Sequence, residues 1–207
     1  MLLIRRNIVL LCSFLYFTEL VNSSLPLNQE KSKFIYQTYL DKNQDQKLDI
    51  SDFTTLVSRF AKSKKWPINR ERHTEALALA KKIMDGILEQ SGAKDIGYVT
   101  VDQWVQSWDE YAKHTDQAYD WQKIFEEFIF RGFDVDGNGV ISLKDFVDFY
   151  NSFGLDSDES KVIFEKMSEG KPLITREHFA NIWKDYFSTS DPYSPGNYLS
   201  GSSRFNE

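Results

Sequence analysis

The sequence has few cysteines and histidines, the residues that most often serve in redox reactions, zinc binding and nucleophilic catalysis. Its 207 residues include one cysteine, Cys12, so no intramolecular disulfide can form. The three histidines, His73, His114 and His178, lack the short spacing of a zinc site. The chain also has no glycine-rich phosphate loop and no nucleophile elbow. We therefore expect no enzymatic activity.

The chain also has fewer positively charged residues than negatively charged ones. The chain has 25 lysines and arginines against 31 aspartates and glutamates, which gives a formal net charge of -6. Such a chain repels phosphate backbones and suits cations, so we expect no nucleic-acid partner. Aromatic residues make up 15% of the chain. This content excludes a disordered protein, because large apolar groups are available for a core.

Long apolar runs are absent except at the N-terminus. Arg5 and Arg6 precede a mostly apolar stretch at residues 8–17, and small residues suited to cleavage end at Ser23. This order is typical of a secretory signal peptide, which we predict at residues 1–23. The alternatives are a buried first helix and a membrane anchor, although an anchor needs about 20 apolar residues. After cleavage we expect no cysteine and no stable membrane insertion.

One pattern occurs four times along the chain. An aliphatic residue is followed five positions later by an aromatic residue, and apolar residues then recur at the spacing of one helix face. These pairs are Leu48 and Phe53, Val99 and Trp104, Ile141 and Phe146, and Ile174 and Phe179. The next residue in each repeat is suited to cap a helix: Asp49, Thr100, Ser142 and Thr175.

An apolar stripe also precedes each repeat, so the sequence predicts four helix–loop–helix units, numbered 1 to 4. An ordinary amphipathic helix bundle is the alternative. Such a bundle needs only apolar spacing and does not require an aliphatic residue at a fixed offset before each helix.

The loop of unit 3 has oxygen-bearing side chains at the spacing that calcium requires. In residues 134–145 (loop 3) they occupy positions 1, 3, 5, 9 and 12, and position 7 can offer its backbone carbonyl. Gly139 at position 6 allows the sharp turn that wraps the chain around a cation. The predicted metal ligands are Asp134, Asp136, Asn138, Val140 and Asp145. An ordinary Asp-Gly or Asn-Gly turn is the alternative.

The loop of unit 1, residues 41–52 (loop 1), has the same order of donors. Its predicted ligands are Asp41, Asn43, Asp45, Lys47 (through its backbone carbonyl) and Asp52. Gln46 replaces glycine at position 6, where a left-handed conformation costs a non-glycine residue about 1–2 kcal/mol. A fourth carboxylate, Asp49, adds negative charge that offsets this cost. An acidic, solvated loop is the alternative.

Both loops end in aspartate, where glutamate is the usual bidentate ligand. Aspartate is one methylene shorter, so we expect fewer oxygens on calcium and better tolerance of magnesium as a competitor. Units 2 and 4 lack this donor set. We therefore expect about two bound ions, with one binding loop and one structural loop in each pair. Ile141, at position 8, is expected to pair with the same position of the neighbouring loop.

These loops resemble EF-hands, and residues from about 30 to 200 resemble the sarcoplasmic calcium-binding protein and calexcitin family of invertebrates. The donors of units 1 and 3 carry the resemblance, together with the stretch from Asp191 to Gly201. The resemblance implies an all-α fold in which four EF-hand units pair into two lobes of one compact globule. The expected divisions are a leader at 1–23, an N-terminal pair at 24–112, a C-terminal pair at 113–188 and a tail at 189–207.

A basic stretch separates units 1 and 2. It contains Lys62, Lys64, Lys65, Arg70 and Arg72. We expect a solvated linker there, and a docking patch is the alternative. The sequence points to no particular protein partner.

Three functions fit such a chain: a calcium buffer or constitutively loaded protein, a calcium sensor that grips a protein partner, and a small-ligand carrier such as a photoprotein-like binder. Sensors expose methionine-rich grooves, whereas only Met84 and Met167 remain after cleavage of the leader. Extracellular modules bind calcium with dissociation constants of about 10⁻⁴–10⁻³ M. We therefore expect a constitutively loaded monomer that is secreted or luminal, or a cytosolic buffer if the leader is not functional.

Overall fold

The computed structural model describes residues 25–64 and 71–205, so the predicted leader at residues 1–23 lies outside the described residues. In chain order the elements are α1 (Leu27–Ile35), a π-helical turn (Tyr36–Leu40), α2 (Ile50–Ser63), α3 (Glu71–Gln90), α4 (Val101–Lys113), a 3₁₀ turn (Thr115–Gln117), α5 (Asp120–Phe133), β1 (Val140–Ser142), α6 (Leu143–Asn151), α7 (Ser157–Met167), β2 (Leu173–Thr175), α8 (Arg176–Ser188) and a 3₁₀ helix (Pro195–Ser200). Among the helices of these two ranges, none has the length and apolar character that crossing a bilayer requires.

The helix that leaves each loop begins at the predicted cap. In each of the four units the capping side chain accepts a backbone N–H from the first turn of the helix; the caps are Asp49, Thr100, Ser142 and Thr175. In loops 1 and 3 the last loop residue, Asp52 or Asp145, completes a capping box by accepting the N–H of the cap. The final predicted ligand of each loop is therefore held by the start of a helix.

Short backbone pairings join the units two by two. Leu48 and Val99 form an antiparallel bridge between units 1 and 2. Strands β1 and β2 join units 3 and 4, with Ile141 opposite Ile174. The predicted pairing of Ile141 with position 8 of the neighbouring loop is confirmed. Each loop with the full donor set therefore lies beside a loop that lacks it.

One aromatic core extends through both pairs. The aromatic residues that open the four repeats, Phe53, Trp104, Phe146 and Phe179, are all fully buried. Rings from the two pairs touch directly, as Phe53 and Trp104 both pack against Phe125. The predicted all-α fold, with paired EF-hand units in one compact globule, is confirmed.

The C-terminal segment is packed into this globule. Asn197, Leu199 and Phe205 are buried. Tyr39 and Tyr150 donate hydrogen bonds to the backbone carbonyls of this segment, at Ser200 and Leu199 respectively. Residues 189–205 thus tie unit 1 to unit 3.

Candidate metal centres

The first residue of loop 3 organises the turn around it. Asp134 is buried, and its Oδ1 accepts the N–H groups of Gly137 at 2.9 Å and Asn138 at 3.0 Å. Its Oδ2 accepts the N–H of Gly139 at 3.0 Å. Gly137 and Gly139 have positive φ values of 76° and 87°, as a tight turn requires. The carboxylate is thereby fixed toward the inside of the loop.

The next donors of loop 3 are held in the same way. Asp136 Oδ1 accepts the N–H of Asn138 at 3.1 Å, and Asn138 Oδ1 accepts the N–H of Val140 at 3.0 Å. Asp145, at the end of the loop, is buried, and its Oδ2 accepts the N–H of Ser142 at 3.0 Å. Asp136 Oδ1 and Asn138 Oδ1 each accept one N–H and keep a second lone pair for a cation, whereas Asp145 Oδ2 also accepts the Ser142 hydroxyl at 2.5 Å.

Loop 1 repeats this arrangement, with glutamines at the two positions where loop 3 has glycines of positive φ. Asp41 is buried, and its two oxygens accept the N–H groups of Asp45 and Gln46, each at 3.1 Å. Asn43 Oδ1 accepts the N–H of Asp45 at 3.0 Å, and Asp45 Oδ1 accepts the N–H of Lys47 at 2.9 Å.

The two loops differ in backbone strain. Gln46 has the positive φ predicted for position 6, 64°, and Gln44 at position 4 has a φ of 59°. Loop 3 has glycine at both positions, so loop 1 alone places two side chains in a conformation that favours glycine. The strain at position 6 was predicted from the sequence, and the strain at position 4 was not.

Asp52, at the end of loop 1, is buried among other carboxylates. Burial and, to a smaller extent, the charges of Asp49, Asp45 and Asp41 together raise its pKa to about 6, against a lowering hydrogen bond from the Asp49 N–H. A cation in the loop would favour the ionised form of the same group.

All the donors in both loops are oxygens, which is the donor set that calcium and magnesium prefer. The structure brings the side chains of positions 1, 3 and 5 onto one turn, while the carboxylate of position 12 turns back to the N–H of position 9. Within the described ranges no three His, Cys, Asp or Glu side chains already converge as a metal site. The loops fit a hard dication if the carboxylate of position 12 turns toward it.

Loop 4, residues 167–178 of unit 4, lacks the donor set of loops 1 and 3. His178 stands at position 12, and its Nε2 lies 3.3 Å from Glu169 Oε2. Lys171 lies 3.2 Å from the same carboxylate oxygen. Burial and the Lys171 charge lower the pKa of His178, while Glu169 opposes them. The Lys171 and Glu169 side chains are both exposed, so this ion pair adds little to the stability of the loop.

Two basic residues of the linker border loop 3, which the sequence did not predict. Lys64 Nζ donates to the backbone carbonyl of Asp134. The Arg72 guanidinium lies over Gly137, because a Cβ at that glycine would be 3.3 Å from Arg72 Nη1. Burial lowers the pKa of Lys64 to about 8, against the charges of Asp134 and Asp145. The expected solvated linker is thus wrong for Lys64, which is half-buried, whereas Arg72 is exposed as expected.

Several known proteins are similar to this chain in sequence. No protein-family model matches the chain. Calexcitin-1 of Caenorhabditis elegans is 25% identical over 187 residues, which cover 85% of this chain and 87% of that protein. Sarcoplasmic calcium-binding proteins I, III and IV of Branchiostoma lanceolatum are 22% identical over 180 residues, which cover 84% of this chain and 95% of theirs.

Solved structures share the fold. A sarcoplasmic calcium-binding protein from amphioxus superposes with a TM-score of 0.72 at 18% identity, covering 86% of this chain and 98% of its own. The coelenterazine-binding protein of Renilla muelleri superposes with a TM-score of 0.63 at 19% identity, covering 84% and 95% respectively. The resemblance to EF-hand proteins of the sarcoplasmic calcium-binding and calexcitin type is confirmed.

Proposed function

We propose that this EF-hand chain binds calcium at loops 1 and 3 and acts as a calcium buffer or constitutively loaded calcium-binding protein. One observation carries the proposal. Both loops hold a position-1 carboxylate, Asp41 or Asp134, in place through backbone N–H groups, and further oxygen donors follow at the required positions. The names of the sequence relatives, calexcitin and sarcoplasmic calcium-binding proteins, support binding rather than catalysis.

The packing of the core favours a buffer over a sensor. Sensors of the calmodulin type open on calcium binding and expose a methionine-rich groove. Met84 and Met167 are both buried here, and aromatic rings of the two pairs pack directly against each other, as Trp108 does against Trp183 and Phe187. Opening such a core would expose large apolar surfaces to water.

A small-ligand carrier is the second candidate, and its ligand would have to enter an apolar cavity in the core. The cavity has a volume of about 50 Å³ and is lined by rings that include Phe125, Phe149 and Trp183. A cavity of about 150 Å³ is known to admit benzene. The cavity therefore holds no multi-ring ligand unless the core rearranges, so we rank the carrier below the buffer.

We further propose that the protein works in the secretory lumen or outside the cell, where calcium keeps both loops loaded. The predicted leader at residues 1–23 supports this location. Expression of the full chain with a C-terminal tag in cultured cells tests it. Recovery from the medium with a new N-terminus near Ser24 is expected, and full-length protein confined to the cytosol would contradict it.

Binding of an apolar dye separates the buffer from the sensor. The proposal predicts that dye fluorescence stays low when calcium is added to the purified protein, because no groove opens. A large increase that depends on calcium would support a sensor and overturn the buffer. A visible absorbance that co-purifies with the protein would instead support the carrier.

A further inference from the structure

Two cations from the N-terminal pair border loop 3 of the C-terminal pair. Lys64 follows directly after α2, and Arg72 lies in the first turn of α3. Lys64 donates to the carbonyl of Asp134, at position 1 of the loop, and Arg72 covers Gly137, at position 4. Both contacts therefore lie in the first third of a predicted calcium loop.

The end of α2 is fixed against the helices that flank loop 3. Phe60 lies one turn before Lys64, and its ring centroid is 5.1 Å from that of Phe128 and 5.6 Å from that of Phe149. A Cβ at Gly132 would lie 2.7 Å from Phe60 Cζ, so the glycine allows this close approach. The position of Lys64 is thus set by packing as well as by its hydrogen bond.

The cleft beside loop 3 has an excess of positive charge. It has a volume of about 200 Å³, and among the residues that the structure describes its charged lining from outside the loop is Lys64, Arg72, Glu75 and Arg131. Arg131 is paired with Glu127 at 2.5 Å. Glu75 is one carboxylate against the two linker cations, so the cleft has a net positive charge toward the loop.

We propose that Lys64 and Arg72 lower the affinity of loop 3 for calcium, an inference that rests on the proposed binding at that loop. A dication held by Asp134 and Asp136 would be repelled by both side chains. The two effects are linked: calcium in loop 3 weakens the contacts of Lys64 and Arg72 by the same free energy by which these contacts weaken calcium binding. When loop 3 binds calcium, the contact of Lys64 and Arg72 with the C-terminal pair therefore becomes weaker.

Calorimetric titration of the full chain tests the proposal, with Asp41→Asn present throughout to silence loop 1. We expect Lys64→Met and Arg72→Met each to tighten calcium binding about tenfold in dilute buffer, the order expected for a charge removed several ångströms from a dication. At 1 M salt the gain should shrink, because the Debye length falls to about 3 Å. Lys64→Arg should keep the wild-type affinity.

Lys62→Met is the matched control, because it removes a charge from the exposed side of the same helix end. An affinity in the Lys64 and Arg72 variants no tighter than in this control overturns the inference. Arg72 is exposed, so its variant decides the question even where Lys64→Met does not fold. All of these proteins keep loop 3 intact. If none of them binds calcium, the proposed function itself is overturned.

Discussion

The indole ring of Trp108 stacks on the ring of Phe187, with centroids 3.7 Å apart and planes inclined by 18°. Trp108 belongs to α4 of unit 2 and Phe187 to α8 of unit 4. The same indole also packs edge-on against Trp183 and Trp121. The helices that leave the two structural loops therefore meet at the centre of the molecule, and the two pairs share one core.

This relationship predicts that Trp108→Ala destabilises the whole protein. Loss of a buried indole costs about 3–5 kcal/mol, and here it removes ring contacts between both pairs. Urea unfolding followed by circular dichroism should show one transition at a lower midpoint. Tyr193→Ala is the control, because this aromatic side chain is 84% exposed, and it should change the free energy of unfolding by less than about 0.5 kcal/mol. Two separate transitions in the wild type would contradict a shared core.

The packed C-terminal segment predicts a difference between two glycines. Gly201 has a φ of 70°, and a Cβ there would lie 2.5 Å from Tyr150 Cε1. Gly154 has a φ of 89°, but a Cβ there meets nothing within 4 Å. Gly154→Ala should cost about 1–2 kcal/mol for the left-handed backbone alone. Gly201→Ala should cost about 1–3 kcal/mol more, measured by urea unfolding. Equal losses would mean that residues 189–205 do not pack as described.

Buried Lys31 predicts a change of stability with pH. Its Nζ donates to Asn197 Oδ1 at 2.9 Å and to the Thr189 carbonyl at 3.0 Å, and burial lowers its pKa from 10.5 to about 8 against the charge of Asp185. Between these values the unfolded chain binds more protons than the folded one, so stability rises with pH.

Unfolding of the wild type and of Lys31→Met should therefore be compared from pH 7 to pH 10. The wild type should gain free energy of unfolding relative to the variant above pH 8, by up to about 1.4 kcal/mol per pH unit. Other titrating groups are common to both proteins and cancel in the difference. A difference that is constant with pH would show that Lys31 does not lose its proton on folding in this range.

The aspartate at the end of loop 3 predicts the selectivity of that loop. Asp145 is buried at the start of α6 and is shorter than the usual glutamate of this position. Asp145→Glu should extend a second oxygen toward calcium and increase the preference for calcium over magnesium. Competition calorimetry with both metals measures this, and Asp148→Glu, one turn further on, is the control. An unchanged preference in Asp145→Glu would argue against a role for side-chain length.

The local features of this chain were predictable from sequence, because they depend on fixed spacing. The caps at Asp49 and Thr100 and the pairing of Ile141 follow from residues that are neighbours in the chain or in the repeat. The burial of Lys31 was not predictable, because its acceptor Asn197 is 166 positions away. Lys64 was missed for the same reason, since Asp134 lies 70 positions further along the chain.

Calorimetric titration of calcium into chelator-treated protein decides the claim that loops 1 and 3 bind calcium. We predict two sites in the wild type and one site in each of Asp41→Asn and Asp134→Asn. Dissociation constants of about 10⁻⁴–10⁻³ M would fit constitutive loading outside the cytosol. Micromolar or tighter sites would stay loaded there too and would equally suit a cytosolic buffer, so recovery of the tagged chain from the medium would then decide the location. Wild-type protein that binds no calcium would contradict the claim itself.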